Sequence, residues 1–224
     1  MSLHKTLTFL TQIKENNHRE WFADHNEEYQ EAKQEVTAFA KSLYSEMCYH
    51  DQIDESKIKV FRIFRDVRFG KDKTLFKSHW SCGYQRVGVE RRGGYYFSIE
   101  PDNTFIAGGF FGPNPQDLSH IRKQISLDPE PMRKILDNAT FVDTFGNLQG
   151  DQLKTAPKGF EKDDPAIDLL RYKQIILRHH FTDEEVMSPD FDKRVSDVYA
   201  KMRPFLDYMT EILTTDLNGV SIIH

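Results

Sequence analysis

Apolar side chains in the first 50 residues recur every three or four positions, the spacing of one helical face. Phe9, Leu10 and Ile13 mark a first helix that Asn16-Asn17 stops, and Asn17 is placed to cap a short turn from His18 to Phe22. Tyr29, Ala32, Val36, Phe39, Leu43 and Met47 then predict a longer helix over 26–48, with Glu27, Glu28, Glu31 and Glu35 on its solvated face. Further on the period drops to two. Tyr95, Phe97 and Ile99 alternate with Tyr96, Ser98 and Glu100, the mark of a half-buried strand. Pro101-Asp102-Asn103 supplies a turn, and TFIAGGFF (104–111) completes a hairpin in which Gly108-Gly109 marks a bulge or a close backbone approach. Residues 59–65, 79–88 and 173–181 predict further strands.

Helical signals resume after the hairpin. Asn114-Pro115, Asp128-Pro129, Asp164-Pro165, Thr182-x-x-Glu185 and Ser188-Pro189 are helix starts, each joining a capping residue to a proline or a capping-box glutamate. A last helical stretch over 189–213 carries Phe191, Val195, Val198, Tyr199, Met202, Phe205, Met209 and Leu213, with Pro204 set to kink or split it. The resulting expectation is a single α+β domain over residues 1–224, a central antiparallel sheet flanked by N- and C-terminal helices.

Composition narrows the class. The chain has 224 residues, 38% hydrophobic and 29% charged, which fits a globular protein with a sizeable core. Its apolar runs fall far short of the ~20 residues of a membrane span. The opening MSLHKTLTFLTQIKENN shows no apolar core followed by a small-residue cleavage site. Cys48 and Cys82 are too few and too isolated for a disulfide framework or a thiolate metal site. A reducing cytoplasm, with no membrane association, is the expected setting. Nothing in the sequence marks an oligomeric state.

Charge changes the picture more. Residues 59–79, KVFRIFRDVRFGKDKTLFKSH, hold Lys59, Arg62, Arg65, Arg68, Lys71, Lys73 and Lys77 against Asp66 and Asp72. That is +5 in 21 residues of a chain whose net charge is −5. As a strand, this block places Phe61, Ile63, Val67 and Phe69 on one face with Arg65, and Val60, Arg62, Phe64, Asp66 and Arg68 on the other. As a helix, Val60, Ile63, Phe64 and Val67 form the stripe instead. On either reading some arginines lie beside apolar surface, and at least one of Arg62, Arg65 and Arg68 is expected to be buried and paired. Clustered guanidinium groups need neutralising, either by an anionic ligand or by Asp66, Asp72, Glu20 or Glu100. Both readings stand.

Asn17, Arg19, Glu20 and Trp21 form a second group. Trp21 is able to stack a base or sugar ring; the simpler reading is a helix junction with Trp21 and Phe22 inside. His79, two residues beyond Lys77, is a candidate acid or base beside a bound anion, and Glu20 a weaker one. No zinc-spaced His/Cys pair and no nucleophile or phosphate-loop motif occurs, so no metal or cofactor is implied.

These motifs come in a familiar order. Asn16-Asn17-x-Arg19-Glu20-Trp21-Phe22, Asn26, Tyr29, then Arg62-x-x-Arg65-Asp66-x-Arg68-Phe69-x-Lys71-Asp72-Lys73-x-x-x-Lys77 resembles an uncharacterised, mostly bacterial family, domain of unknown function 2461. Tyr96-Phe97-x-Ile99-Glu100-Pro101, Gly108-Gly109 and Pro157-Lys158-Gly159-Phe160 extend the resemblance to roughly residues 5–212. The family commonly shows Ser-Lys-Asp-Lys and then Pro-Tyr-Lys; here Gly70 and Leu75-Phe76 stand in those places. The resemblance implies no activity.

The expected function is therefore binding of a small phosphate- or carboxylate-bearing ligand, enzymatic or not, by Arg62, Arg65, Arg68, Lys71, Lys73 and Lys77, with Asn17, Arg19 and Trp21 nearby. The alternative is a nucleic-acid or protein interaction surface over 59–94, extended by Arg86, Arg91 and Arg92. The acidic remainder of the chain opposes a nucleic acid.

Overall fold

A computed structural model describes residues 1–66, 74–88 and 90–223. Helices α1 (His4–Glu15), α2 (Arg19–Asp24) and α3 (Asn26–Met47) come first. Strands β1 (Lys59–Val60), β2 (Trp80–Gln85), β3 (Gly94–Ile99) and β4 (Thr104–Phe110) follow. Then come α4 (Pro115–Leu127), α5 (Glu130–Leu136), α6 (Ala139–Phe145), α7 (Ile167–Leu170), β5 (Ile175–Phe181), α8 (Asp183–Val186), α9 (Phe191–Lys201) and α10 (Arg203–Thr214). The five strands form one antiparallel sheet in the order β1-β2-β3-β4-β5, with helices flanking it, as the α+β reading requires. No helix among the described residues is long and apolar enough to cross a membrane.

The chain gathers into two compact units. The first holds Met1–Tyr84, Tyr96–Ile106 and His180–Asp197. Its centre is α3, whose predicted stripe is fully buried: Tyr29, Ala32, Val36, Phe39, Leu43 and Met47, together with Ala40. Each large side chain there contributes roughly 1.5–3 kcal/mol by leaving water. Tyr29 stacks on Trp80 at 5.6 Å, and Phe39 on Phe191 at 5.3 Å. Glu35 departs from the expected solvated face. Its carboxylate accepts the Thr6 N–H and hydroxyl, both at 2.7 Å, so it serves the first turn of α1, where Leu3 offers no side-chain cap.

The second unit holds Gln85–Tyr95, Ala107–His179 and Val198–His224. Asn114 caps α4 by accepting the Asp117 N–H at 2.8 Å. Pro204 splits the last helical stretch, with α9 ending at Lys201 and α10 starting at Arg203. Gly109 answers the close-approach reading. Its φ is +129°, and a Cβ there would fall 2.3 Å from the Ile175 carbonyl oxygen. The buried arginine among the described residues also lies here. Arg86 is 5% exposed and donates to Asp207 Oδ1 at 2.7 Å, to Thr210 Oγ1 at 3.1 Å and to the Arg92 and Leu206 carbonyls.

The strand expected over 59–65 is shorter than its alternation. Only Lys59 and Val60 pair regularly, with Gly83 and Cys82. Phe61 N–H still reaches the Ser81 carbonyl, but the next bridge joins Phe64 to Phe76. Three steps on one strand thus face five on the other, and the two surplus residues lie between Lys77 and Trp80 as a two-residue bulge. The helical alternative for this block is excluded as far as Asp66.

Candidate anion-binding site

The bulge and the bridge beyond it build the basic arm of the first unit. Around the Phe64–Phe76 bridge, Arg65 N–H donates to Leu75 O at 2.9 Å and Lys77 N–H to Ile63 O at 2.8 Å. This short ladder turns Ile63 inward, where it is fully buried, and leaves Arg62, Phe64 and Arg65 exposed.

Asn17 fixes the arm to the helices. Its side-chain oxygen accepts the Leu75 and Phe76 N–H groups at 2.9 and 3.0 Å, and its Nδ2 donates to the Phe76 carbonyl at 2.9 Å. The expected cap of α2 is therefore not Asn17. His18 takes that place, its Nδ1 accepting the Trp21 N–H at 3.3 Å. An amide offering one acceptor and one donor matches a strand edge; a ring nitrogen with one lone pair suffices for a cap.

Two open grooves flank this arm. The first, about 590 Å³, is lined among the described residues by Lys59, Arg62, Arg65 and Lys77, by Val60, Phe61 and Phe64, and by Asp66. The second, about 370 Å³, is lined by Arg19, Phe22, Ala23, Leu75 and Phe76. Phe64 and Arg65 line both. The volumes fall in the ~300–1,000 Å³ range of small-molecule sites. Phe22 stacks on Phe76 at 4.3 Å, and Phe64 meets both rings edge-on at 5.3 and 5.4 Å.

The charges in the first groove are only partly answered. Arg62 and Lys77 make no side-chain hydrogen bond or ion pair with any described residue, and Lys59 sits over the Phe61 ring at 5.1 Å. Arg65 donates to Thr74 Oγ1 at 2.7 Å. Two of the acids expected to neutralise the block form no ion pair with its described basic side chains. Glu20 faces His18 at 3.5 Å with its side chain 91% exposed, and Glu100 accepts from Ser78 and Asn103. Unanswered positive charge on a concave surface attracts anions.

His79 lies on the bulge, half-buried. Burial pushes its pKa below the usual histidine value; Glu100 pulls the other way, and Lys77 and Arg65 add to the lowering. It is a neutral imidazole at pH 7 that senses the charge of the groove.

The predicted residues separate as follows. Arg62, Arg65 and Lys77 come together in one groove, and Arg19 joins Arg65 in the other. Asn17 holds backbone and does not line a groove. Trp21 is covered on one face by His25, stacked at 4.1 Å, and also lies outside both. The expected buried arginine is neither Arg62 nor Arg65, which are exposed because the arm is an edge with water on one side. Arg68, Lys71, Lys73 and Asp72 lie outside the described residues. Phe64 and Phe22 were not anticipated as groove walls, although the strand reading had put Phe64 on the face of Arg62 and Asp66. Among the described residues, no three His, Cys, Asp or Glu side chains gather as a metal site.

A family model described as "Conserved hypothetical protein (DUF2461)" matches residues 5–208. No curated protein and no solved structure matches the chain.

Proposed function

The chain belongs to that DUF2461 family, and since the family's description assigns no activity, we propose from the site alone that the protein binds a small phosphate- or carboxylate-bearing ligand in the groove of Arg62, Arg65 and Lys77. The observation that carries this reading is the balance of charges among the described residues: there, four basic side chains and one acid line the groove, and Arg62 and Lys77 have no carboxylate partner. Guanidinium forks grip carboxylate and phosphate oxygens in pairs, and lysine adds a point charge.

A longer polyanion on 59–94 has less support. The arginines that would extend the surface are already matched: Arg86 with Asp207, Arg91 with Glu90 and Arg92 with Asp117. The reading places the protein in a reducing cytoplasm, in keeping with unpaired Cys48 and Cys82, and in a bacterium, as the resemblance implies.

A thermal-shift series in chloride, sulfate and phosphate at matched ionic strength tests the proposal. Phosphate is expected to raise Tm by mass action beyond chloride, and Arg62→Lys and Arg65→Lys to lose much of the gain. Equal shifts for all three salts would point to a purely structural cluster.

A further inference from the structure

The second groove is apolar where the first is basic, and the two share a wall. Phe22 and Phe76 form its stacked floor, and Phe64 stands edge-on against both. Phe64 also meets Tyr29 edge-on at 6.0 Å. Held by three rings, Phe64 still leaves 41% of its surface exposed. It is a ring fixed in orientation and open to a partner, so stacking on it costs little side-chain freedom. Arg19 and Arg65 line the same groove. Arg19 makes no side-chain hydrogen bond or ion pair among the described residues, and a planar guanidinium lies readily on an aromatic face.

We propose that the two grooves are one bipartite site for an anion that carries a flat ring. The phosphate or carboxylate sits against Arg62, Arg65 and Lys77, and the ring lies on Phe64 with Arg19 beside it. Because Phe64 and Arg65 line both grooves, one small ligand can reach both when its ring and anionic group lie close together, as in an aryl phosphate or an aromatic carboxylate. This rests on the anion reading above and adds the chemical class of the ligand.

The experiment is calorimetric binding to the full chain, with inorganic phosphate, cyclohexyl phosphate and phenyl phosphate as probes, and acetate, cyclohexanecarboxylate and benzoate in parallel. The cyclohexyl compounds match the ring in size but not in flatness. Phenyl phosphate or benzoate is expected to bind about two- to tenfold tighter than its cyclohexyl counterpart, in line with the stacking increment of aromatic pairs. Phe64→Leu is expected to abolish that ratio, lowering the affinity for phenyl phosphate and benzoate more than that for inorganic phosphate and acetate. Arg19→Ala is expected to lower the ratio and leave Tm as it was. Equal affinities for flat and saturated rings, or a ratio that survives Phe64→Leu, would overturn the bipartite site while leaving simple anion binding intact. Absence of binding by every probe would overturn both.

Discussion

Asn17 is hydrogen-bonded to both the N–H and the C=O of Phe76, 59 residues away, at 3.0 and 2.9 Å. It acts as one more residue of strand paired to the arm, and it sets the height of the Phe76 ring under the apolar groove. Removing it strands three backbone groups at a part-buried site. Asn17→Ala is expected to cost about 2–3 kcal/mol in denaturant unfolding, since unpaired buried groups cost ~1–3 kcal/mol and partial solvation offsets some of the loss. Asn17→Asp keeps the acceptor and loses the donor, and is expected to fall between. If both variants unfold like the parent chain, the arm is held by something else.

Arginines in this chain should separate sharply by burial. Arg86→Ala removes a 5%-exposed arginine with four hydrogen-bond partners; Asp207 is half-exposed and keeps Arg203, so the cost, from polar groups left short of a donor, is expected to be about 2–3 kcal/mol. Arg62→Ala removes an exposed side chain and is expected to cost under ~1 kcal/mol. The pair of urea melts checks the contrast; comparable losses would contradict the assignment of Arg86 as structural and Arg62 as available for a ligand.

His79 gives the site a pH dependence whose sign is fixed. Its folded pKa lies below the unfolded value of about 6.5, chiefly through burial. Its contribution to stability is complete above pH ~6.5 and is lost as pH falls through the lower folded value, because the unfolded chain binds the proton more readily. His79→Gln is therefore expected to flatten the acid side of the Tm-versus-pH curve. An anion beside Lys77 and Arg65 cancels part of the lowering, so phosphate should raise the His79 pKa and, reciprocally, bind more tightly as pH falls toward 5. Histidine NMR titrations with and without phosphate report both, and an unmoved His79 would place the anion elsewhere.

Much of this fold was legible because it follows from burial with a period. The α3 stripe, the hairpin of β3 and β4 and the break at Pro204 each obey a single local rule. The arm was harder for a specific reason. Two surplus residues near Lys77 change the register, and no periodicity over 59–65 records what happens at 77–80. The same limit hid the role of Asn17, whose partners are distant in sequence, so that its capping propensity was the visible feature and its pairing with Phe76 was not. The candidate groove was visible as charge. The apolar groove beside it was not, because Phe22 and Phe64 read as core like the buried Phe76 until their exposure is known.

The central claim is that Arg62 and Arg65 bind an anion, and their side-chain Nε–H resonances test it most directly. In a ¹H–¹⁵N titration at constant ionic strength, phosphate is expected to shift both resonances saturably at millimolar concentration while chloride does not. The signals are assigned by their disappearance in Arg62→Lys and Arg65→Lys. Saturable shifts confined to these two arginines would bear out the account. Resonances that respond to phosphate no more than to chloride would contradict it.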